Sequence, residues 1–248
     1  MVLRCVKADL HVHTYLSPCT GPDMSPLGVV REARRRGIDL IGICDHNSAE
    51  NVPALKKAGK QHGVMVLGGI EVTSSEEAHI LVFFDDAGDL LRFQDLIYEH
   101  LSGTNDESTF GRQVIADDED RVQGFCDRFL INATSLTAER IAGAAQEAKR
   151  ECLVIAAHVD REVYGIIGQL GFIPPRLKLD AVEVSGHITL AAARERFPDC
   201  KKYPLIIGSD AHHLEEIGKR CMRFFMKDGS IAEIKRALNG KDGRKADC

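Results

Sequence analysis

The 248-residue sequence predicts one α/β domain, a parallel barrel of strands ringed by helices, and three observations carry that prediction. Apolar runs alternate with amphipathic segments along most of the chain, a βαβα rhythm that joins parallel strands through helices. Runs such as LIGIC and LVIAA are apolar without interruption, which suits strands covered on both faces. Acidic and imidazole residues gather where these runs end, and in a parallel barrel those ends meet on one face.

Taken in order, KADLH reads as a first strand, followed by a helix around 26–36. IDLIGIC is the second strand, before a helix around 49–62; VMVLGGI and HILVFF follow, then a helix over 88–100. After residue 130 the rhythm resumes with a helix over 137–150, the strand LVIAAH, a helix near 162–170, the strand AVEVS and a helix from 187. PLIIGSD, RFFMK and a last helix over 230–239 complete seven or eight strand slots. Residues 102–130 break the pattern: they are polar, hold the acidic turn DDED, and carry short β-prone pieces on either side, so they predict an excursion in the form of a hairpin. The tail NGKDGRKADC is polar and glycine-bearing and is expected to fray. The whole of 1–248 is expected to form a single domain.

With 44% hydrophobic and 28% charged residues, the chain can bury a large core. Its net charge of -5 gives no global cationic field of the kind that holds long nucleic acid without regard to sequence, so a small substrate is the more natural partner. The N-terminus lacks the apolar stretch of a signal peptide and no 18 apolar residues run together, so a cytoplasmic protein with no membrane partner is expected. Eight cysteines, scattered and without a C-x-x-C pair, are expected to be reduced thiols packed as small apolar groups. Oligomeric state leaves no mark in the sequence.

The strand ends read DLHVH (Asp9, His11, His13), ICDH (Asp45, His46), GIEV (Glu71), AAHVDR (His158, Asp160, Arg161), VEVSGH (Glu183, His187) and GSDAHH (Asp210, His212, His213). His79 stands instead at the start of its run. Strand alternation would put Asp9, His11 and His13 on one side, with Leu10 and Val12 on the other. Any one of these is ordinary alone: a histidine such as His62, His100, His187 or His213 is usually solvated or hydrogen-bonded, and one H-x-H pair can be structural. Their sorting onto one predicted face is what points to a metal centre, because imidazoles and carboxylates suit Zn, Mn or Fe. No G-x-S-x-G or Walker sequence competes for the chemistry.

Taken together, DLHVHTYLSPC, ICDHNS, GIEVTSSEEAH, AAHVDR and GSDAHH resemble the PHP (polymerase and histidinol phosphatase) family of metal-dependent phosphoesterases, in motif order and over nearly the whole chain. The resemblance implies a distorted (β/α)7 TIM-like barrel and two or three divalent cations, Zn, Mn or Fe. It implies that His11, His13, Glu71 and Asp210 hold one metal, and that Glu71 bridges to a second held by His79 and His158. His46 and His212 would hold a third. Many relatives complete that third site with a His or Asp from the loop after H-x-H; here the loop is YLSPC, which offers Cys19 as a thiolate ligand or leaves the site weaker or empty.

The expected activity is hydrolysis of a phosphate ester by metal-activated water, on a small phosphomonoester such as a nucleotide or histidinol-phosphate-like compound. Asp210, His212 and Arg161 are the residues expected to carry catalysis. Arg161 is also expected to grip phosphate in a bidentate manner, with Ser17 or the backbone of 14–21 reaching it as well. Asp9 and Asp45 are expected to orient imidazoles. The alternatives are an exonuclease trimming short DNA or RNA ends, and a non-catalytic metal-binding module.

Overall fold

The structure, a computed structural model, describes residues 2–147 and 151–248. β1 (Arg4–Val12), α1 (Pro26–Arg35), β2 (Leu40–Ile43), α2 (Val52–His62) and β3 (Met65–Thr73) open the chain. β4 (His79–Phe84) and α3 (Ala87–His100) lead into a short helix α4 (Glu107–Phe110), the strands β5 (Val114–Ala116) and β6 (Val122–Phe125), and α5 (Ala138–Gln146). β7 (Cys152–Ala156), α6 (Ile166–Leu170), β8 (Ala181–Val184), α7 (Leu190–Arg196) and β9 (Leu205–Ile207) follow. β10 (Met222–Met226), α8 (Ile231–Leu238) and β11 (Lys245–Asp247) end it.

Nine strands form one sheet in the order β11-β10-β1-β2-β3-β4-β7-β8-β9. β1, β2 and β3 are parallel, as are β7, β8 and β9. The expected all-parallel arrangement fails at β4, which runs antiparallel to both β3 and β7. The segment between β3 and β4 is a tight turn closed by Ser74 N–H donating to the Ala78 carbonyl at 2.9 Å, too short for the crossover that a parallel neighbour needs. The reversal explains His79: the start of an antiparallel strand lies at the same end as the finish of its neighbours.

The sheet curls until the chain beyond β9 returns to β1. Val12 and Ala211 form a parallel bridge, with His13 N–H donating to the Ala211 carbonyl at 3.1 Å and Ala211 N–H to that of His11 at 3.2 Å. β10 occupies the other half of the same edge, from Arg4 to Ala8. The result is the distorted TIM-like α/β barrel that the sequence predicts.

Alternate strand residues enter two apolar clusters. Leu67, Leu81, Phe83, Leu153 and Ile155 lie inside the curl, whereas Ile70, Val82, Phe84 and Val154 meet the helices outside. Burial on both faces is why these strands read as unbroken apolar runs. α8 sends Ile231, Ile234 and Ala237 into the inner cluster, and Ile231 N–H donates to the Asp85 carboxylate just past β4, so α8 covers the end of the curl opposite His79.

Helix starts follow capping chemistry. Ser25, Asp86, Thr137, Thr189 and Ser230 each accept a first-turn backbone N–H at α1, α3, α5, α7 and α8. The helix expected over 137–150 is seen to Gln146; its positions 148–150 lie outside the described residues. The helix expected near 162–170 shortens to α6, because the chain before it turns, with Tyr164 at φ 63°. The excursion does contain a hairpin: β5 and β6 pair antiparallel. Its acidic turn is engaged, since Asp120 accepts from Ser25 Oγ at 2.7 Å and from Leu27 N–H at 2.8 Å, tying it to the start of α1.

The expected frayed tail is ordered instead. β11 pairs with β10, and the buried Arg244 guanidinium donates to both carboxylate oxygens of Glu233, at 2.7 and 2.8 Å. Composition gave no sign of that partner because Glu233 sits on a different element. No helix among the described residues is long and apolar enough to cross a membrane.

Candidate metal centre

Glu71, at the β3 end of the curl, is the hub of the site. Its Oε1 lies 3.3 Å from His11 Nε2, 2.9 Å from His79 Nδ1 and 3.2 Å from His158 Nε2. Its Oε2 lies 3.3 Å from His13 Nε2 and 3.1 Å from His46 Nδ1. Asp210 Oδ1 completes a second focus, 3.2 Å from both His11 Nε2 and His13 Nε2, which are themselves 3.2 Å apart. The ring of His212 sits 4.4 Å from that of His13.

The geometry of β1 departs from simple alternation. Val6, Ala8 and Leu10 belong to the inner cluster but Val12 to the outer one, and the β1–β2 register shifts between Asp9 and Val12. This bulge changes the phase of the strand, so His11 and His13 turn inward together while Asp9 falls out of step. Among the described residues Asp9 therefore meets His11 at its backbone N–H, 3.5 Å away, and touches no imidazole, contrary to the expectation. Its carboxylate accepts from Ser209 N–H at 3.0 Å and Gly218 N–H at 2.7 Å, holding the loop that carries Asp210; burial pushes its pKa up to about 6.

The group that orients His11 is Glu183, whose Oε2 lies 2.8 Å from His11 Nδ1 and accepts the His158 N–H at 3.1 Å. The sequence contained its signal, since Glu183 is in step with Ala181 of the inner cluster. Ser17, expected at substrate phosphate, is buried and engaged elsewhere. Its hydroxyl donates to Asp45 Oδ1 at 2.7 Å, accepts the His46 N–H at 3.1 Å and lies 3.1 Å from His13 Nδ1. Asp45 thus bears on His13 through Ser17 rather than directly, and Thr14 supplies its remaining bonds at 2.6 and 2.7 Å.

Three ligand-like groups have their donor atoms within 4.8 Å of one another: His11, His13 and Asp210; His46, Glu71 and His79; and His13, His46 and His212. His158 reaches Glu71 from the side. Cys19 is outside these groups but lines the same cavity, about 170 Å³ in volume, with Arg161, Tyr164 and Ile131. Cys19 is exposed as a residue, but crowding around its thiol and the carboxylates of Glu71, Asp210 and Asp45 push that thiol up to about 12. Arg161 enters from the rim, its Nη1 2.7 Å from Asp210 Oδ2. Tyr164 and Ile131 carried no sequence signal; the Tyr164 ring stacks on His79 at 4.5 Å and 10°.

The residues present fit divalent metal ions. His46 Nδ1 and His79 Nδ1 are buried with no hydrogen-bond partner among the described residues, although each is aimed at a Glu71 oxygen. Buried polar atoms left in this state ask for a further partner, and imidazole plus carboxylate donors suit Zn, Mn or Fe. The protons respond to the crowding. Burial lowers His13, but hydrogen bonds and charge from Asp210 and Glu71 outweigh it and raise the pKa to about 9. His212 is lowered to about 4 by burial and by the neighbouring His13. Burial would raise Glu71, yet His79, His11 and His46 hold it well below the carboxylate range.

The backbone is strained at the same place. His158 and Asp210 adopt φ of 28° and 50°, a left-handed region that costs these residues on the order of 1–3 kcal/mol each. That conformation aims both side chains into the centre. Asn47, at φ 50°, braces the neighbouring loops, donating to the Leu130 and Asn132 carbonyls at 2.7 and 2.8 Å and accepting the Thr73 N–H at 3.1 Å.

Comparison with known proteins places this geometry. An uncharacterized protein of Methanocaldococcus jannaschii, MJ1587, is 33% identical over 89 residues, covering 33% of this chain and 52% of its own length. The lesion-specific endonuclease PfuEndoQ from Pyrococcus furiosus superposes with a TM-score of 0.69 at 22% identity, over 98% of this chain and 58% of that one. Endonuclease Q in complex with a 27-mer duplex bearing an abasic lesion at the active site gives 0.68 at 21%, with the same coverage. The chain thus spans little more than half the length of these relatives. The PHP domain matches residues 9–237. With the motif order, the curled sheet and the histidine–carboxylate cluster in agreement with that match, the chain belongs to the PHP domain family.

Proposed function

We propose that the protein hydrolyses a phosphate ester, most naturally a small phosphomonoester, at divalent metal ions held by His11, His13, His46, Glu71, His79, His158, Asp210 and His212. The observation that carries this reading is Glu71, a buried carboxylate with imidazole nitrogens converging on both of its oxygens. Bound metals would supply Lewis acidity and a water of lowered pKa. The chain's own part is to hold that constellation and to receive the phosphate. Glu183 and the Asp45–Ser17 pair fix the rings of His11 and His13, which removes the orientational freedom that would blunt the site. Arg161, on the rim, offers a guanidinium to phosphoryl oxygens once it leaves Asp210. Ile131 and Tyr164 add an aliphatic side chain and an aromatic ring to the cavity wall.

Cys19 lines the same cavity as His46 and His212, and it is proposed as an outer ligand of a third metal. A second reading, cleavage at the ends of short oligonucleotides, is favoured by the fold shared with endonuclease Q, whose complex holds DNA at its active site. The test is a panel of p-nitrophenyl phosphate, histidinol phosphate, nucleotides and short oligonucleotides, with and without added Mn, on protein of measured metal content. Metal-dependent release of phosphate from a monoester is expected. Full activity in metal-free protein would overturn the proposal.

A further inference from the structure

Tyr164 and Ile131 line two spaces, the metal cavity and a second groove of about 280 Å³, so the two adjoin. The second lies near the lower end of the roughly 300–1,000 Å³ of small-molecule sites. Phe110 and Phe129 add two more aromatic rings to it, with centroids 4.8 Å apart. Both come from the excursion that interrupts the barrel: Phe110 ends α4 and Phe129 follows β6. Phe110 and Tyr164 stay 37% and 38% exposed, so aromatic surface beside the reactive centre is left uncovered.

The groove is held in shape from behind. Phe129 N–H donates to the Gly103 carbonyl at 3.3 Å, and Gly103, at φ 96°, packs so near that an added Cβ would stand 3.3 Å from the Cβ of Phe129. Asn47, next to His46, donates to the Leu130 and Asn132 carbonyls, which ties the aromatic loop to the metal centre. The polar groups of the groove are of one kind. Thr73 is buried, and its hydroxyl has no partner among the described residues. Glu77 is exposed at φ 59° and has no ion pair among the described residues. The side-chain N–H of Asn132 is already given to the Ser102 carbonyl at 3.0 Å. No Lys, Arg or His is among the described residues lining the groove, so it repels an anion and offers acceptors instead.

We propose that this groove seats the non-reacting end of the ester as a flat nitrogen heterocycle, stacked on Phe129 and Phe110 with its N–H edge toward Thr73 and Glu77, while the phosphate lies in the metal cavity. The proposal rests on the phosphoester reading above and narrows its substrate class. Stacking on aromatic side chains accepts any planar ring, because every such ring has a π-face. The edge groups refine the choice: a hydroxyl buried without a partner favours a ligand that supplies one, and a carboxylate accepts from ring or exocyclic N–H groups. A plain phenyl ring would fill the space and leave both unmet. Phe110, Phe129 and Glu77 lie outside the ligand set, so the excursion selects the substrate and leaves the metals untouched.

The test pairs esters that differ by a ring: adenosine or guanosine 5′-monophosphate against ribose 5-phosphate, and benzyl against ethyl phosphate, on Mn-loaded protein. Wild-type kcat/KM for at least one nucleotide is expected to exceed that for ribose 5-phosphate by about tenfold or more, the worth of stacking one base, and the benzyl gain should be smaller. F110A removes an exposed ring and F129L keeps apolar bulk behind the groove. Each should cut the nucleotide preference at least threefold, through KM, with turnover of ribose 5-phosphate unchanged. The dinucleotide pApA locates the source of the ring: preference over the mononucleotide identifies an oligonucleotide end, and the reverse a free nucleotide. A wild type without the preference, variants that both keep it, or a benzyl gain equal to that of the nucleotides overturns the proposal. If no ester is cleaved, the phosphoester reading fails on its own, and calorimetry still decides the groove. Tighter binding of a nucleotide than of ribose 5-phosphate, weakened in F110A, supports it, and equal affinities overturn it.

Discussion

Glu183 Oε2 lies 2.8 Å from His11 Nδ1, with both side chains buried, and the same oxygen accepts the backbone N–H of His158 at 3.1 Å. One carboxylate therefore sets the ring of one candidate ligand and the backbone of another, leaving His11 Nε2 facing Glu71 and Asp210. Glu183→Gln is expected to weaken metal binding by about 10- to 100-fold while preserving the far-ultraviolet circular dichroism. Metal titration would show it; unaltered affinity would contradict the role.

Ser17→Ala separates two uses of a hydroxyl. Because Ser17 joins Asp45, His13 and His46, its loss should lower kcat by about tenfold with little change in KM. A raised KM at constant kcat would instead place the hydroxyl on the substrate.

Arg161→Lys keeps the charge and removes the planar fork that now meets Asp210 at 2.7 Å. A fall of roughly 10- to 100-fold in kcat/KM is expected, the worth of one charged hydrogen bond. Steady-state kinetics with a phosphomonoester decide the matter, and wild-type values in the variant would remove Arg161 from the phosphate.

Protons and metals compete for the same nitrogens. In the metal-free site the pKa of His13 rises from 6.5 to about 9, burial being outweighed by Asp210 and Glu71. His11 also rises well above its ordinary value, against burial, because of Glu183 and Asp210. A raised folded-state pKa means that protonation of His13 stabilises the metal-free fold fully below about 6.5, and that this contribution disappears as pH climbs through about 9. Metal affinity should accordingly increase with pH over that window, and loading at neutral pH should release protons. Calorimetry in buffers of different ionisation enthalpy counts them; no net release would show that these rings are already neutral.

Much of this site was legible because residue type and strand phase carry across sequence. His11, His13, His46, Glu71, His158, Asp210 and His212 end strands of one curl, and their imidazole and carboxylate chemistry points to metal without coordinates. What could not be read is conformation that depends on a partner. The bulge that separates Asp9 from His11 arises where β1 changes neighbours, from β10 to Ala211. The reversal of β4 required weighing five turn residues, 74–78, against a missing crossover helix. Ser17 looked like a phosphate contact because its loop position was visible and its burial was not. Tyr164 reaches His79 through a left-handed turn that no periodicity announces.

The meeting of β1 with the chain beyond β9 would give bound metals a second meaning. His11 and His13 stand on one side of that seam and Asp210 and His212 on the other, where Ser209 Oγ contacts the carbonyl of His11 across 198 positions of sequence. Holding two such distant stretches together costs closure entropy that grows with the length enclosed. Ions gripped from both sides would act as a clasp on that long loop, and their binding energy would become part of the folding energy. Stripped of them, the barrel should open first along this line, and the place proposed for the chemistry would also be the fastener of the fold.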